Sequence, residues 1–236
     1  MSHVRVGETF VSSFVLIRHG ESVWNDERRI QGSLDPELSP RGQRQTDLLV
    51  AHLGTRSVRA AAVYASPLRR AAQTAERIAG ALHLPLVYDP DLREMFLGEW
   101  EGKTVAEVQA AFPGRYEKWL EDPLGFPAPG GEDLRAFERR VVGAIERMQR
   151  NHPAAELIVV SHGGVIKALL CFALGLAVRH LFRLKQDNTA VSRIQLDGRV
   201  RRVHLLNDTC HLRDGRGGLS SLDVLTDGGA VADPAF

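Results

Sequence analysis

Short apolar runs alternate with longer stretches of helical periodicity along the chain. The runs 14–17, 60–65 and 157–160 are apolar throughout and have the length of buried strands. A further run at 84–88 contains one proline and is soon followed by another, so we expect a short strand or an edge strand there. Strands that alternate with helices predict a three-layer α/β/α sandwich, with a mainly parallel sheet and helices on both faces.

Helix start and stop signals fall between these runs. Ser39 supplies an N-cap before Pro40, and the apolar period that follows ends at Gly54. The residues Thr104 to Glu107 form a capping-box pattern that opens another helix. Helices are therefore expected over residues 40–53, 104–112, 115–121, 133–152 and 165–176.

The C-terminal part of the chain has a different pattern. An Asp-Gly pair at 197–198 lies between the β-type runs 190–196 and 200–206, which predicts a hairpin and an antiparallel edge strand. Residues 213–236 are rich in Gly, Asp and Ser without a sustained period, so we expect a disordered or weakly docked tail. Residues 1–212 are expected to form a single domain.

Composition excludes several classes of partner. The chain has 236 residues, of which 44% are hydrophobic, and this is enough to bury a full core. Its formal net charge of +1 provides no long-range attraction to nucleic acid or to an anionic membrane. No apolar run is long enough to span a bilayer, and no signal-peptide pattern opens the chain. Cys171 and Cys210 are too few for a disulfide framework, so we expect a cytoplasmic protein.

The first strand ends in a cation and an imidazole. Arg18, His19 and Gly20 follow the run 14–17 directly. In open α/β sheets ligands bind at the carboxyl ends of the strands, and glycine lets the backbone approach a ligand closely. The planar fork of Arg18 suits a phosphate group, and the neutral imidazole of His19 can attack phosphorus. The alternative is a strand that simply ends at the surface.

Two further stretches have the same character. His162 and Gly163 follow another buried strand, and the glycine exposes backbone N–H groups beside the imidazole. His162 is therefore a candidate second phosphate ligand. Arg69 and Arg70 begin a helix, where positive charge opposes the helix dipole unless an anion lies nearby. A buried core histidine and two solvated arginines are the alternatives.

These stretches occur together in the order of a known family. Leu-Ile-Arg-His-Gly-Glu-Ser at 16–22, Ser-Pro-Leu-Arg-Arg-Ala-Ala-Gln-Thr at 66–74, Leu-Arg-Glu at 92–94 and Ser-His-Gly at 161–163 resemble the motifs of the histidine phosphatase superfamily, the phosphoglycerate mutase-like proteins. The resemblance covers most of Phe14 to Leu212. It implies that Arg70, rather than Arg69, faces the phosphate and that Glu94 is the proton donor.

The resemblance also implies a mechanism that needs neither a metal nor a cofactor. His19 would attack phosphorus to form phosphohistidine, and Glu94 would protonate the leaving oxygen and then deprotonate the attacking water. Glu99 and Glu101 are weaker candidates for the acid, because solvent is expected to reach them. The substrate-binding residues are expected to be Arg18, Asn25, Gln31, Gly32, Arg70, His162 and Gly163. For Gln31 and Gly32 a plain surface loop is the equal alternative.

The substrate is less closely defined than the chemistry. Met95 stands where the mutases carry an arginine for the second acidic group of a bisphosphate, which favours a phosphatase. Leu97 stands where phosphoserine phosphatases carry a histidine, so a small phosphorylated metabolite of another kind is also compatible. The region 95–131 is interpreted as an insertion that caps the site. Mutase activity, a non-catalytic phospho-ligand-binding role and action on protein partners are the alternatives, and a homodimer is left open.

Overall fold

A six-stranded sheet forms the centre of the fold. The structure, a computed structural model, describes residues 11–56, 58–197 and 200–213. Its strands are β1 (Ser12–Arg18), β2 (Ala60–Ala65), β3 (Leu86–Tyr88), β4 (Glu156–Ser161), β5 (Val191–Leu196) and β6 (Arg201–Asp208). Its α-helices are α1 (Val23–Asp26), α2 (Pro40–Gly54), α3 (Arg69–Leu82), α4 (Val105–Ala111), α5 (Arg115–Glu121), α6 (Leu134–Asn151) and α7 (Gly163–Leu174).

The strand order is β3-β2-β4-β1-β5-β6, so β1 lies in the interior of the sheet. The first four strands of this order are mutually parallel, whereas β5 runs antiparallel to β1. β6 pairs antiparallel with β5 at the edge. The predicted mainly parallel sheet with an antiparallel edge is confirmed, and the predicted hairpin supplies both strands on that side. The proline-flanked strand β3 forms the opposite edge, as expected.

Alternate side chains of the strands pack into two separate cores. On β1, Phe14 and Leu16 join a cluster with apolar side chains of α6 and α7. Val15 and Ile17 join a second cluster with side chains of α2 and α3. Successive side chains point to opposite faces of a strand, so this division places helices on both faces of the sheet. The prediction of a three-layer sandwich is confirmed.

Helix ends agree with the predicted ranges to within two residues. The side chains of Ser39 and Thr104 accept hydrogen bonds from backbone N–H groups in the first turns of α2 and α4. α2 includes Gly54, which the sequence placed just beyond the helix. α7 begins earlier than expected, at Gly163. The first four N–H groups of a helix have no acceptor within the helix, so the N–H groups of Gly163 and Gly164 are available to other partners.

The segment 95–131 contacts both the core and a neighbouring loop. The rings of Trp100 and Trp119 meet edge to face with centroids 5.2 Å apart, and Trp119 lies 4.4 Å from the ring of Phe182. Both tryptophans belong to the core on the α6 and α7 side. The backbone N–H of Gly102 donates to the carbonyl oxygen of Ile30 over 2.8 Å. The segment is therefore attached both to the core and to the loop that follows α1.

Two expectations fall partly on residues outside this description. Residues 214–236 of the expected tail and the turn residues 198–199 lie outside the described residues. Beside that turn, the N–H of Asp197 donates to the carbonyl oxygen of Val200 over 3.1 Å. Across the described part of the chain, no helix combines the length and apolar character that a membrane span requires.

Candidate active site

His19 lies at the carboxyl end of the interior strand β1. Its backbone N–H donates to the carbonyl oxygen of Ser161 at the end of β4, and the N–H of Arg18 donates to Ala190 beside β5. The next N–H, that of Gly20, donates to the side chain of Thr74 over 3.1 Å. The backbone around His19 is therefore fixed by the strands on both sides and by α3.

This turn also packs tightly against the start of α2. A Cβ atom at Gly20 would lie 2.5 Å from the carbonyl oxygen of Gly42, and a Cβ atom at Gly42 would lie 1.9 Å from the carbonyl oxygen of Glu21. Neither position has room for a side chain, so glycine at both allows the close approach of turn and helix. Glycine is therefore needed at position 20 because the backbone of the turn packs directly against the backbone of α2.

The His19 ring is buried and held in one tautomer. Its side chain is 2% exposed, and Nδ1 donates to the carbonyl oxygen of Gly20 over 2.7 Å. A carbonyl oxygen can only accept, so the proton lies on Nδ1 and the lone pair on Nε2. Burial, followed by the charges of Arg70 and Arg18, holds the pKa of His19 well below its usual 6.5. Neutral imidazole with a free Nε2 lone pair is the nucleophilic form.

Two buried arginines lie beside this ring. Arg18 is 3% exposed and Arg70 is 1% exposed. Arg18 donates to the carbonyl oxygen of Gln186 over 2.5 Å, and Arg70 donates to those of Gly32 and Leu34 over 2.8 and 2.7 Å. These partners are neutral, and the Nε groups of both arginines are buried without a hydrogen bond among the described residues. Burial, more than any other cause, lowers the pKa of Arg70 to about 10.

The neighbouring arginine has a different environment. Arg69 donates to the carboxylate of Glu37 over 2.6 Å in an exposed ion pair. Arg70 is therefore buried beside His19, whereas Arg69 lies at the surface. Because Arg70 is the second residue of α3, its guanidinium group turns towards the end of β1 while that of Arg69 stays at the surface.

His162 faces His19 from the end of β4. The two ring centroids are 5.2 Å apart with an interplanar angle of 61°. His162 Nε2 lies 2.7 Å from the hydroxyl oxygen of Ser66, whereas Nδ1 is buried without a hydrogen bond among the described residues. Burial and the charge of Arg70 hold the pKa of His162 well below its usual 6.5. His162 also precedes the first residue of α7, Gly163.

Glu94 completes the group of buried ionisable side chains. It is 2% exposed, and its two carboxyl oxygens accept hydrogen bonds from the N–H groups of Met95 and Gly164, over 2.9 and 3.0 Å. Burial raises the pKa of Glu94, although the two hydrogen bonds and the charges of Arg70 and Arg18 act against it. A carboxyl group with a raised pKa can carry a proton nearer to neutral pH than an exposed one.

The remaining candidates, Gln31, Gly32 and Asn25, differ in their hydrogen-bond partners. Gln31 is fully buried; its Oε1 accepts from the hydroxyl of Ser22 over 2.8 Å, and its Nε2 is buried without a hydrogen bond among the described residues. The carbonyl oxygen of Gly32 accepts from Arg70. The side-chain Oδ1 of Asn25 accepts from the backbone N–H of Ser22 and, over 3.3 Å, from the side chain of Asn188. Gln31 is thus part of a buried network and not of an exposed loop.

Glu101 is half-buried and held by hydrogen bonds, so it is less accessible to solvent than expected. Its carboxylate accepts from the N–H and the hydroxyl of Ser33, over 2.7 and 3.0 Å, and from the N–H of Leu97 over 3.0 Å. A Cβ atom at Gly32 would meet this same carboxylate, and Gly32 has a φ of +51° that favours glycine. Glu101 therefore fastens the segment 95–131 to the loop of Gly32, whereas Glu99 is exposed as expected.

Sequence reasoning missed several polar residues that support this group. Asn188 donates to the carbonyl oxygen of His19 over 3.1 Å. The N–H of Thr189 donates to the carbonyl oxygens of both Arg18 and His19, over 3.1 and 3.2 Å. Both residues stood in a recognisable Asp-Asn-Thr turn ahead of a predicted strand. Nothing in that pattern indicates that the turn meets a segment so distant in the sequence.

Two buried arginines beside a buried imidazole, at the carboxyl edge of an open α/β sheet, are typical of enzymes that act on phosphate esters. The family model of the histidine phosphatase superfamily (branch 1) matches residues 14–209, and the chain belongs to that superfamily. It is a phosphatase, the activity for which several of its relatives are named.

Named relatives and solved structures agree with this assignment. Phosphoserine phosphatase 1 of Hydrogenobacter thermophilus is 36% identical over 198 residues, covering 84% of this chain and 93% of that protein. The structure of Bacillus stearothermophilus YhfR has a TM-score of 0.79 and 32% identity, covering 85% of this chain and 98% of that one. A mycobacterial glucosyl-3-phosphoglycerate phosphatase, solved with VO3, has a TM-score of 0.76 and 31% identity, covering 83% of this chain and 98% of that one.

Proposed function

We propose that the protein is a metal-independent phosphomonoesterase that hydrolyses small phosphorylated metabolites through a phosphohistidine intermediate on His19. Glu94 is the proton donor in the first half-reaction and the base in the second. Arg18, Arg70 and His162 hold the phosphoryl group. The proposal is more specific than membership of the superfamily, because it assigns the nucleophile, the acid and the class of substrate.

The observation that carries the proposal is the pair of buried guanidinium groups that form no ion pair with a carboxylate in the described part of the chain. Arg18 and Arg70 hydrogen-bond only to carbonyl oxygens among the described residues, and each keeps a buried Nε–H group unsatisfied. A buried charge is costly unless an opposite charge compensates it. A phosphate dianion supplies that charge and accepts from the unsatisfied N–H groups. Guanidinium forks match the geometry of phosphate oxygens.

His162 adds a neutral donor to this pair. The hydroxyl oxygen of Ser66 accepts from the N–H of Leu68 over 3.3 Å, and its own proton has His162 Nε2 as an acceptor at 2.7 Å. That arrangement favours the tautomer of His162 with its proton on Nδ1, the buried ring nitrogen without a protein partner. Nδ1–H then donates to a phosphoryl oxygen without His162 becoming charged.

The first half-reaction transfers the phosphoryl group to His19. The Nε2 lone pair forms the N–P bond while the bond from phosphorus to the ester oxygen breaks, and the leaving oxygen takes the proton of Glu94. The pKa of His19 is depressed by burial and by Arg70 and Arg18, so the neutral nucleophile is present throughout the neutral pH range. The same guanidinium groups stabilise the charge that spreads over the phosphoryl oxygens in the transition state.

The second half-reaction returns the enzyme to its starting state. Glu94, now ionised, takes a proton from water, and the resulting hydroxide forms a P–O bond while the N–P bond breaks. The two N–H donors that hold the carboxylate of Glu94 support its ionised form between the two steps. The carboxyl group of Glu94 therefore serves as the acid in the first half-reaction and as the base in the second.

Substrate selection is assigned to the residues around this centre. Gln31, Asn25 and the N-terminus of α7 at Gly163 are further contacts for the phosphoryl group, and Gly32 contributes by holding Arg70. The segment 95–131 is proposed to cap the site, supported by its anchor on the loop of Gly32 through Glu101. This loop and segment are where a leaving group would make its contacts.

The apolar side chains after Glu94 support hydrolysis over mutase chemistry. Met95 is 3% exposed and Leu97 is 1% exposed, and both belong to the core on the α6 and α7 side. Neither position offers a charge to a second acidic group of the substrate. A phosphomonoester with a single phosphate is therefore favoured over a bisphosphate. Two relatives are named as phosphatases of phosphoserine and of glucosyl-3-phosphoglycerate, so both esters should be tested as substrates.

A screen of phosphorylated metabolites ranked by kcat/KM tests this function. The His19→Ala protein, prepared in the same way, is the blank for contaminating phosphatases. We expect at least one ester to release phosphate with kcat/KM of about 10⁴ M⁻¹s⁻¹ or more, the lower end of the range for natural substrates. Binding of substrates without release above the blank would indicate a phospho-ligand-binding protein. Transfer between hydroxyl groups without release would indicate a mutase.

A further inference from the structure

We propose that Arg140 is a positioning residue that sets the location of the Glu94 carboxyl group by holding the main chain of residues 91–94. Arg140 lies on α6 and does not belong to the group of side chains around His19. The inference rests on the proposed function, because it gives Arg140 a role in the proton transfer assigned to Glu94. It extends that function to a residue which none of the sequence motifs contains.

The carbonyl oxygens of the segment 91–94 depend on side chains for their hydrogen bonds. The carbonyl oxygens of Asp91, Arg93 and Glu94 all accept from the guanidinium group of Arg140, over 2.8, 2.7 and 3.1 Å. The carbonyl oxygen between them, that of Leu92, accepts from the hydroxyl of Ser161 over 2.7 Å. Each successive carbonyl of this stretch is thus bound by a side chain from another element. A strand partner would ordinarily supply such bonds.

Arg140 is itself held in place by a carboxylate. Its Nε and one terminal nitrogen donate to the two oxygens of Glu132, over 2.8 and 2.9 Å, as a bidentate pair. The backbone N–H of Glu132 donates to the carbonyl oxygen of Phe96 over 2.8 Å. The pair therefore spans the chain on both sides of Glu94. A planar guanidinium fork can make this set of bonds, whereas a lysine ammonium cannot reach all of the acceptors in one arrangement.

The main chain and the carboxyl group of Glu94 are held from different elements. The carboxyl oxygens of Glu94 accept from the backbone N–H of Met95 and from Gly164 in α7. Its own carbonyl oxygen accepts from Arg140 in α6. Loss of the latter bond frees the backbone on which the carboxyl group is mounted. A displacement of about 1 Å at a reacting group costs up to about 100-fold in rate.

The chain supplies a matched control on the same helix. Arg147 lies on α6 and donates to the side-chain carboxylates of Asp89 and Asp91, over 3.1 and 2.6 Å. It therefore fastens the same loop to the same helix, but through the side-chain carboxylates of Asp89 and Asp91 and not through the main chain of Arg93 and Glu94. Arg147→Gln removes a cation of α6 without touching the carbonyl oxygens of Arg93 and Glu94.

The test uses phenyl phosphates, which share one aryl ester scaffold and have leaving groups of different basicity. We compare kcat/KM for phenyl phosphate and 4-nitrophenyl phosphate in Arg140→Gln, Arg140→Lys and Arg147→Gln, with Tm as the measure of folding. Arg140→Gln is expected to lower kcat/KM by roughly 10- to 100-fold for phenyl phosphate and by less than about 3-fold for the nitro compound. Arg140→Lys is expected to be intermediate, and Arg147→Gln is expected to match wild type on both substrates.

A second measurement separates positioning from general damage. In a Glu94→Gln background, adding Arg140→Gln should change kcat/KM for phenyl phosphate by less than about 2-fold, because the proton donor is already absent. Equal loss on both substrates, or an undiminished loss in the Glu94→Gln background, would overturn the role of Arg140. If Arg140→Gln does not fold, Arg140→Lys carries both comparisons. If Glu94→Gln itself shows no dependence on the leaving group, the proposed function fails instead.

Discussion

The imidazole of His19 donates from Nδ1 to the carbonyl oxygen of Gly20, its own neighbour in the chain, over 2.7 Å. Gly20 therefore has two roles: it allows the turn to pack closely against α2, and its carbonyl oxygen fixes the tautomer of His19. The nucleophilic nitrogen, Nε2, is therefore defined by local backbone geometry, and no carboxylate is needed to orient the ring. A carboxylate would raise the pKa of His19, whereas the surrounding arginines and burial lower it.

Replacement of the nucleophile should abolish turnover. His19→Ala removes the atom that forms the N–P bond, so we expect no phosphohistidine and no phosphate release above background. Labelled phosphate from substrate should appear as an acid-labile adduct in quenched wild-type enzyme and map to His19. His204→Ala, a change at an exposed histidine on β6, is the control and should retain the adduct. A near-normal kcat in His19→Ala would show that another group attacks phosphorus.

Replacement of the acid should depend on the leaving group. Glu94→Gln cannot donate a proton, so kcat/KM for an alkyl phosphate should fall by roughly 10²–10⁴-fold and that for 4-nitrophenyl phosphate by less. Glu99→Gln, at an exposed position, should behave as wild type on both substrates. Glu101→Gln weakens the anchor on Ser33 and Leu97, so we expect a loss that is equal for the two substrates. Selectivity in Glu101→Gln instead would transfer the acid role to that residue.

The pH dependence of kcat/KM should reflect the same acid. Burial raises the pKa of Glu94, so the protonated form persists above the usual 4.5 and is lost as the pH rises through the raised value. With phenyl phosphate we therefore expect kcat/KM to decline on the alkaline side, and Glu94→Gln should remove that decline. The lowered pKa of His19 predicts no acidic decline from His19 near 6.5. An alkaline limb that survives unchanged in Glu94→Gln would assign it to another group.

Activity should survive strong chelation. The positive charge needed for the transferring phosphoryl group is assigned to Arg18 and Arg70, so wild-type enzyme treated with EDTA should hydrolyse 4-nitrophenyl phosphate at its full rate. Among the described residues, no three His, Cys, Asp or Glu side chains are grouped to hold a metal ion. Loss of activity with EDTA and its recovery on adding a divalent ion would require a metal in the mechanism.

Hydrolysis should dominate over isomerisation. With 3-phosphoglycerate and a bisphosphoglycerate primer, inorganic phosphate should form faster than 2-phosphoglycerate, because the buried Met95 offers no charge to hold a bisphosphate for return transfer. Met95→Arg provides the converse variant, although its buried position predicts a lower Tm. Rapid isomerisation by wild type with negligible phosphate release would identify a mutase.

The strands and most of the helices could be predicted because each has a local signal. The apolar runs on β1, β2 and β4 are buried on both faces, so their pattern needs no knowledge of their neighbours. Caps such as Ser39 and Thr104 are also local. The start of α7 was misplaced because Gly163 and Gly164 disfavour a helix in isolation. In the fold the N–H of Gly164 instead donates to Glu94, which lies in a distant part of the sequence.

The residues around His19 that could not be predicted act across long sequence separations. Ser66, Gln186 and Asn188 are common polar residues in turns, and each gains its role from a contact with another element. Glu101 was assigned to solvent because its flanking glycines indicate an exposed turn. The turn is present, but the glycine conformation of Gly32 leaves space into which the Glu101 carboxylate fits. Tertiary contacts of this kind have no periodic signal.

Because β1 lies in the interior of the sheet, the site around His19 can be completed only late in the synthesis of the chain. β1 is made first among the strands, yet it pairs with β4 and β5, and Arg18 bonds to Gln186 across a separation of 168 residues. A nascent chain that ends before residue 186 would carry every motif residue around His19 and lack the carbonyl oxygens of Gln186 and Ala190, which accept from Arg18. Catalytic competence should therefore arise only when the ribosome has completed nearly the whole sheet, and late closure of this kind slows folding.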